Sequence, residues 1–244
     1  MSNNNIQRKN IKLYGRQIRH AMECDFTVYK RFFDINWINH EIVHIEPRAL
    51  FPWNDKKTIR EFFDAANLNN VARAYDYISI NREQEINWQS ICDVHYIICK
   101  NTFIPGGQFR TSAKILDITI DGIQYHAPNY LTVPFAMREN IENRIQRIGA
   151  DPLDTAIKTH AEMILLQPFE DFNKRTARMV MNWILLQNDF TPIIFNHKTD
   201  KIAYRNAIGA YAAGATKVYD EFMLNAMERT QKSLLRVLQK SRRP

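Results

Sequence analysis

The chain has 244 residues, 45% of them hydrophobic and 24% charged, which is ordinary globular usage and enough for one sizeable helical domain with an extension, or two small ones. With 7 glycines and 9 prolines it lacks the repeated tight turns of an all-β sandwich, and no apolar run approaches the roughly 18 residues of a membrane span. The formal charge of +7 is scattered, which disfavours a nucleic-acid interface, and the 3 cysteines, Cys24, Cys92 and Cys99, have no metal-site spacing and fit a reducing compartment.

In chain order, the start is polar without an apolar leader region, so a cytoplasmic location is expected; export by machinery that reads no leader would leave no trace here. Residues up to about Asn10 are expected to fray. Residues 11–37 keep a loose helical spacing, and Pro47 and Pro52 interrupt any helix across 40–53. Asp55 suits the N-cap of a helix over Lys57–Ala66, and Asn69 or Asn70 opens another through Ile78. Ile91, Val94, His95 and Ile98 predict one face of a helix over Asn87–Lys100.

Pro105, Gly106 and Gly107 mark a turn. Beyond it, Ile118-Thr119-Ile120 and Ile123-Gln124-Tyr125 flank Asp121-Gly122, and β-formers around Asp-Gly predict a hairpin whose turn residues accept positive φ. Pro128 and Pro134 end it, and a helix follows over Phe135–Ile148. The next helix starts near Pro152 and runs to about Leu166; another runs from about Lys174 to Gln187, with Ala177, Val180, Met181, Ile184 and Leu185 as its buried stripe. Ile193–Phe195 reads as a short strand or a buried connector, before helices over Lys201–Gly214 and Thr216–Lys240. In the last helix Lys232, Arg236 and Lys240, followed by Arg242 and Arg243, form a solvated basic face beside Leu234, Leu235, Val237 and Leu238.

Between the two central helices lies Gln167-Pro168-Phe169-Glu170-Asp171-Phe172, followed by Asn173-Lys174-Arg175-Thr176-Ala177-Arg178. A loop entering a helix points backbone N–H groups at its mouth, and with Arg175 beside them it would suit an anion. Asp171 would hold a divalent cation against phosphates, and Arg178 lies one turn beyond Arg175. By these residues alone, a plain polar helix cap fits as well.

The segment resembles the Fic-family signature H-x-F-x-[D/E]-G-N-[G/K]-R-x-x-R, with Phe169, Asp171, Asn173, Lys174, Arg175 and Arg178 in matching places. His160-Ala161-Glu162 is similar to the helix leading into that signature, and Gly107–Thr111 with the hairpin looks like the family's flap, which docks a target segment by strand addition. The resemblance covers about residues 55–235. It implies a mainly α fold, a Fic-type helical bundle with a β-hairpin flap, with an N-terminal extension over 1–54 and a Fic domain over 55–240. It implies protein AMP transfer, with Mg and ATP as cofactors and a nucleotide and a protein target segment as partners, neither nucleic acid nor membrane. Carried over residue by residue, Asp171 would bind Mg²⁺; Asn173, Lys174, Arg175 and Arg178 would hold the nucleotide; and Phe169 would pin the loop. Ile118, Ile120, Asp121, Gly122 and Ile123 would form the target-binding flap.

Two departures stand out. Gln167 occupies the place of the family's general-base His; a carboxamide has no titratable nitrogen near neutral pH, and losing a general base typically costs ~10²–10⁴-fold. Phe172 stands where the family has Gly or another small residue, and a bulky side chain disfavours positive φ and close backbone approach to phosphate. The expected protein is therefore a catalytically impaired relative that retains nucleotide or target binding. The alternatives are an active AMP-transferase or, given the Doc-like Lys174, a phosphoryl-transferase with an unusual base, or a non-catalytic interaction scaffold. Of the spare histidines, His160 is read as a helix-packing residue and His126 as structural or exposed. Upstream, Glu46 resembles the Glu of the family's inhibitory helix, although Ile42 and Pro47 break the flanking positions and an exposed loop glutamate fits equally.

Overall fold

The computed structural model describes residues 3–22, 32, 69–120, 122–147, 151–195 and 197–241. In chain order they form α1 (Asn3–Met22), α2 (residues 69–80), α3 (Trp88–Cys99), β1 (Ile115–Ile120) and β2 (Ile123–His126). A helix over residues 133–146 follows as α4, then α5 (Pro152–Leu166), α6 (Asn173–Gln187), α7 (His197–Ala212) and α8 (Thr216–Ser241). Among the described residues the fold is mainly helical, with one antiparallel hairpin. Among the described residues no helix is long and apolar enough to cross a membrane.

Local chemistry starts the helices where the sequence places them. Asn87 caps α3 in a reciprocal box: its side chain accepts from Ser90 N–H at 2.9 Å, while Ser90 Oγ accepts from Asn87 N–H at 3.0 Å. Asp151 caps α5 by accepting from Asp154 N–H at 3.1 Å, with Pro152 following at the first helical turn. Gly122 takes the left-handed φ of 79° that the hairpin turn requires.

α6 forms the centre. Its buried stripe extends right round the helix: Arg175 through Leu185 are all buried, because α3, α5 and neighbouring segments surround it. Trp183 is fully buried, sits edge-on to Tyr77 with ring centres 5.7 Å apart, and donates its indole N–H to Asn81 O at 3.1 Å.

Several expectations change. The polar start is helical from Asn3: α1 lies along α8, burying Ile11 and Ile18, and Gln231 Nε2 donates to Ile11 O at 3.2 Å. Packing on a neighbour holds a helix that its own composition would leave frayed. β1 begins at Ile115, earlier than alternation implies, and its register is irregular between Ile115 and Thr119. α4 begins at Val133 and winds as a π-helix over Met137–Glu142. Of the two readings for Ile193–Phe195, the buried connector holds: Asn182 on α6 accepts from Ile193 N–H at 2.8 Å and donates to Ile193 O at 3.3 Å, replacing a ladder partner. Glu46 and the helix expected over Lys57–Ala66 lie outside the described residues, as does the boundary at residue 54.

Candidate functional site

The loop joining α5 to α6 has a left-handed residue at each end, Gln167 at φ 48° and Phe172 at φ 56°. Phe172 thus adopts the positive φ that its bulk was expected to disfavour, a correction to the reading of this position. Its ring lies under the Arg175 guanidinium, 4.8 Å from the ring centre. Phe172 brings no capping side chain to the start of α6.

Asn173 closes the loop from inside. Its Oδ1 accepts from Phe169 N–H at 2.8 Å, and its Nδ2 donates to Phe169 O at 2.8 Å and to Gln167 Oε1 at 3.1 Å. At 5% exposure its amide therefore serves the loop itself. Gln167 is committed inward too, donating from Nε2 to Ile164 O at 2.6 Å. Asp171 is exposed at the mouth, its Oδ1 accepting from Phe172 N–H at 2.6 Å. Lys174 is exposed, while Arg175 and Arg178 are buried.

Phe169 is fully buried and stacks on His95, ring centres 3.8 Å apart and nearly parallel. His95 was legible in the sequence only as part of an apolar face; its function as a clamp was not. Its Nδ1 accepts from Gly107 N–H at 2.9 Å, so the proton sits on Nε2, which donates to Asp171 O at 3.1 Å. Gly107 has φ 74°, and a Cβ there would meet Cys92 O at 3.1 Å, so the turn approaches α3 closely. Burial lowers the His95 pKa to about 4, which keeps the ring neutral.

His160 is structural, as its position predicts. Tyr219 donates its hydroxyl to Ile157 O at 2.8 Å and accepts from His160 Nδ1 at 2.6 Å, leaving Nε2 to accept from Tyr204 at 2.8 Å. Burial, helped by the positive charge of Arg178, pushes His160 down to about 3. His126 ends β2 opposite Ile115 and is exposed.

The segment leading into the hairpin is tied to the loop by contacts that the sequence reading did not single out. Phe109 and Phe169 form a β-bridge, with Arg110 N–H donating to Pro168 O at 2.9 Å. Glu170 accepts from Thr111 N–H at 2.9 Å and from Ser112 Oγ at 3.0 Å, and pairs with Lys114 Nζ at 2.9 Å. The Lys114 contact first, with the Thr111 and Ser112 hydrogen bonds, holds the Glu170 carboxyl down to about 2.

Of the expected flap residues, Ile118 and Ile120 point toward the body: Ile118 is buried, Ile120 half-buried, and both line a 460 Å³ cavity beside Gly209 of α7. Ile123 is 72% exposed beyond the turn at Gly122, and Asp121 lies outside the described residues. A larger open cavity of about 790 Å³ lies between β2, α4 and α5, lined by Tyr125, Phe135, Leu165 and Leu166 beside the paired Arg144 and Glu162.

Residues 85–185 match the model of the Fic/DOC family. The chain is 26% identical over 145 residues to the protein adenylyltransferase fic-1 of Caenorhabditis briggsae, covering 59% of this chain and 28% of that protein. It is 24% identical over 177 residues to the protein adenylyltransferase Fic of Aedes aegypti, covering 72% and 34%. It thus spans about a third of the length of these curated relatives. A Fic domain containing signaling protein from Bacteroides thetaiotaomicron superposes with a TM-score of 0.74 at 17% identity, over 95% of this chain and 97% of the other. A fragment of Fic-1 from C. elegans superposes with a TM-score of 0.71 at 14% identity, over 97% and 74%. These structural likenesses concern the fold.

Proposed function

We propose that this chain, whose residues 85–185 match the Fic/DOC family model and which is distantly similar to protein adenylyltransferases, binds Mg-ATP at the Gln167–Arg178 segment and a protein segment at the hairpin, with transfer impaired by Gln167. The observation that carries this reading is the loop between α5 and α6, left-handed at Phe172, with exposed Asp171 at its mouth and buried Arg175 behind it. Mg-ATP, which the family typically uses, would supply the group an adenylyltransferase moves onto a protein hydroxyl.

The donor set fits. Among the described residues no cluster of three or more His, Cys, Asp or Glu could cage a metal. Mg²⁺ needs no such cage: it commonly takes one or two carboxylates and completes its shell with phosphate and water, the role assigned to Asp171. Arg175 and the first turn of α6 provide positive charge for phosphate, with Lys174 and Arg178 assigned alongside; Asn173 acts by holding the loop closed.

The proton acceptor is the missing part. The Gln167 amide is bonded to Ile164 O and Asn173 Nδ2 and carries no basic nitrogen. Neither buried histidine replaces it, since both ring nitrogens of His95 and of His160 are engaged and burial makes both rings poor proton acceptors. A target segment would meet the hairpin's main-chain edge and Ile123, while Ile118 and Ile120 support the strand from behind. The 790 Å³ cavity borders Leu166, next to Gln167, and has room for a target side chain.

Calorimetric titration with Mg-ATP tests the site. Binding by the native protein that is lost in folded Arg175→Ala is expected; no binding by the native protein sinks the nucleotide assignment. With ATP labelled at the α or γ phosphate, Gln167→His is expected to raise label transfer by about 10²-fold or more. Rapid transfer by the native protein would instead support an active enzyme, and the labelled position would separate AMP from phosphoryl transfer.

A further inference from the structure

Arg110 precedes the hairpin and is 2% exposed. Among the described residues, its guanidinium hydrogen-bonds only to main-chain carbonyls. Nε donates to Gln167 O at 2.6 Å, Nη1 to Ser112 O at 2.6 Å, and Nη2 to Pro128 O and to Leu166 O at 3.4 Å. Ser112 lies just before β1 and Pro128 just after β2, so both legs of the hairpin meet the same side chain. Leu166 and Gln167 are the last residue and the C-cap of α5. Their carbonyls are among those a helix leaves without internal partners, at the negative end of its dipole, where a cation is favoured. The left-handed turn at Gln167 carries the chain from this cap into the loop.

We propose that Arg110 is a positioning residue that makes the hairpin and the Gln167–Phe172 loop one hydrogen-bonded body, fixing the spacing between a segment docked on the hairpin and a phosphate held by the loop. Its bearing on function rests on the reading above. The planar fork matters: a guanidinium presents five N–H donors in fixed directions, so one residue reaches carbonyls on both sides at once. A lysine gathers its donors on a single nitrogen and cannot span the same set. The Glu170 contacts with Thr111, Ser112 and Lys114 run parallel on the exposed side, so the buried bond set and the surface one brace the same junction.

Residue-resolved amide exchange on the whole chain, without ligand, tests this. The Gln167 and Phe169 amides report on the loop, and the Ala127 amide, which donates to Lys114 O at 2.9 Å, reports on the hairpin base. In Arg110→Lys both reporters are expected to exchange about tenfold faster or more, together, while amides inside α6 and α8 keep their rates. Methylguanidinium added to Arg110→Ala is expected to restore protection at both. Faster exchange at only one reporter, a uniform rise matching that of the remote core truncation Leu234→Ala, or failure of the rescue would each overturn the proposal. Should Arg110→Ala not fold, the comparison of Arg110→Lys with Leu234→Ala decides. Mg-ATP titration of the same proteins is expected to show about tenfold weaker binding by Arg110→Lys. A native protein that binds no Mg-ATP removes the nucleotide reading and leaves the exchange rates to judge Arg110 alone.

Discussion

Phe172 shows how one side chain can meet a backbone demand and alter a site together. A left-handed conformation costs an L-residue with a Cβ about 1–2 kcal/mol, and Phe172 bears it at φ 56°. Part of that strain is offset by the ring's contact with the buried Arg175, of a kind worth about 0.5–2 kcal/mol as the cation loses water. Phe172→Gly removes strain and contact alike and adds backbone entropy to the unfolded chain, so its net effect on stability is expected to stay within about 1 kcal/mol. The guanidinium, no longer covered by the ring, is expected to bind Mg-ATP about three- to tenfold more tightly. Calorimetry on the two proteins checks this; equal affinities would show that the ring does not compete with phosphate.

At the scale of elements, the loop is a junction between α5, α6 and the hairpin, closed inside by main-chain bonds and the side chains of Asn173, His95 and Arg110, and at the surface by the Glu170 carboxylate. Glu170 has a folded pKa depressed to about 2. Its contribution to stability is therefore full above the unfolded value, near 4.5, and disappears as pH falls through the range down to about 2. The side chain is 25% exposed, so solvent screening limits the contribution to about 1 kcal/mol. Glu170→Gln is expected to unfold at lower denaturant concentration at pH 7, with the gap narrowing below about pH 4. A gap that persists unchanged at pH 2 would mean that charge is not what Glu170 contributes.

Across the whole molecule, two buried neutral histidines make folding sensitive to acid. His95 joins α3 to the loop, and His160 joins α5 to α7 and α8. Their folded pKa values, about 4 and about 3, lie below the ordinary 6.5, so the unfolded chain binds protons first as pH falls. Stability is highest above 6.5 and declines toward about 4 for His95 and about 3 for His160, by about 1.4 kcal/mol per pH unit for each histidine once the unfolded ring is protonated. Denaturant unfolding between pH 7 and pH 4.5 is expected to show this slope, about halved in His160→Gln, which lowers the plateau itself. A flat profile would contradict neutral burial of both rings.

The sequence by itself determined most helices, the Asp-Gly hairpin and the place of the loop between α5 and α6, because these depend on local causes. Apolar spacing, Asn87 and Asp151 as caps, prolines at boundaries and a positive-φ turn residue all act within a few residues of where they are written. Tertiary structure alone decided the rest. It set α1 on α8, turned Ile118 and Ile120 toward α7, bound Ile193 to Asn182 and made His95 and Arg110 the clamps of the loop. Their partners are remote in sequence: Arg110 meets Gln167 across 57 positions and His95 meets Asp171 across 76. No periodicity encodes such pairs, since what selects them is the need to satisfy polar groups that packing has already buried.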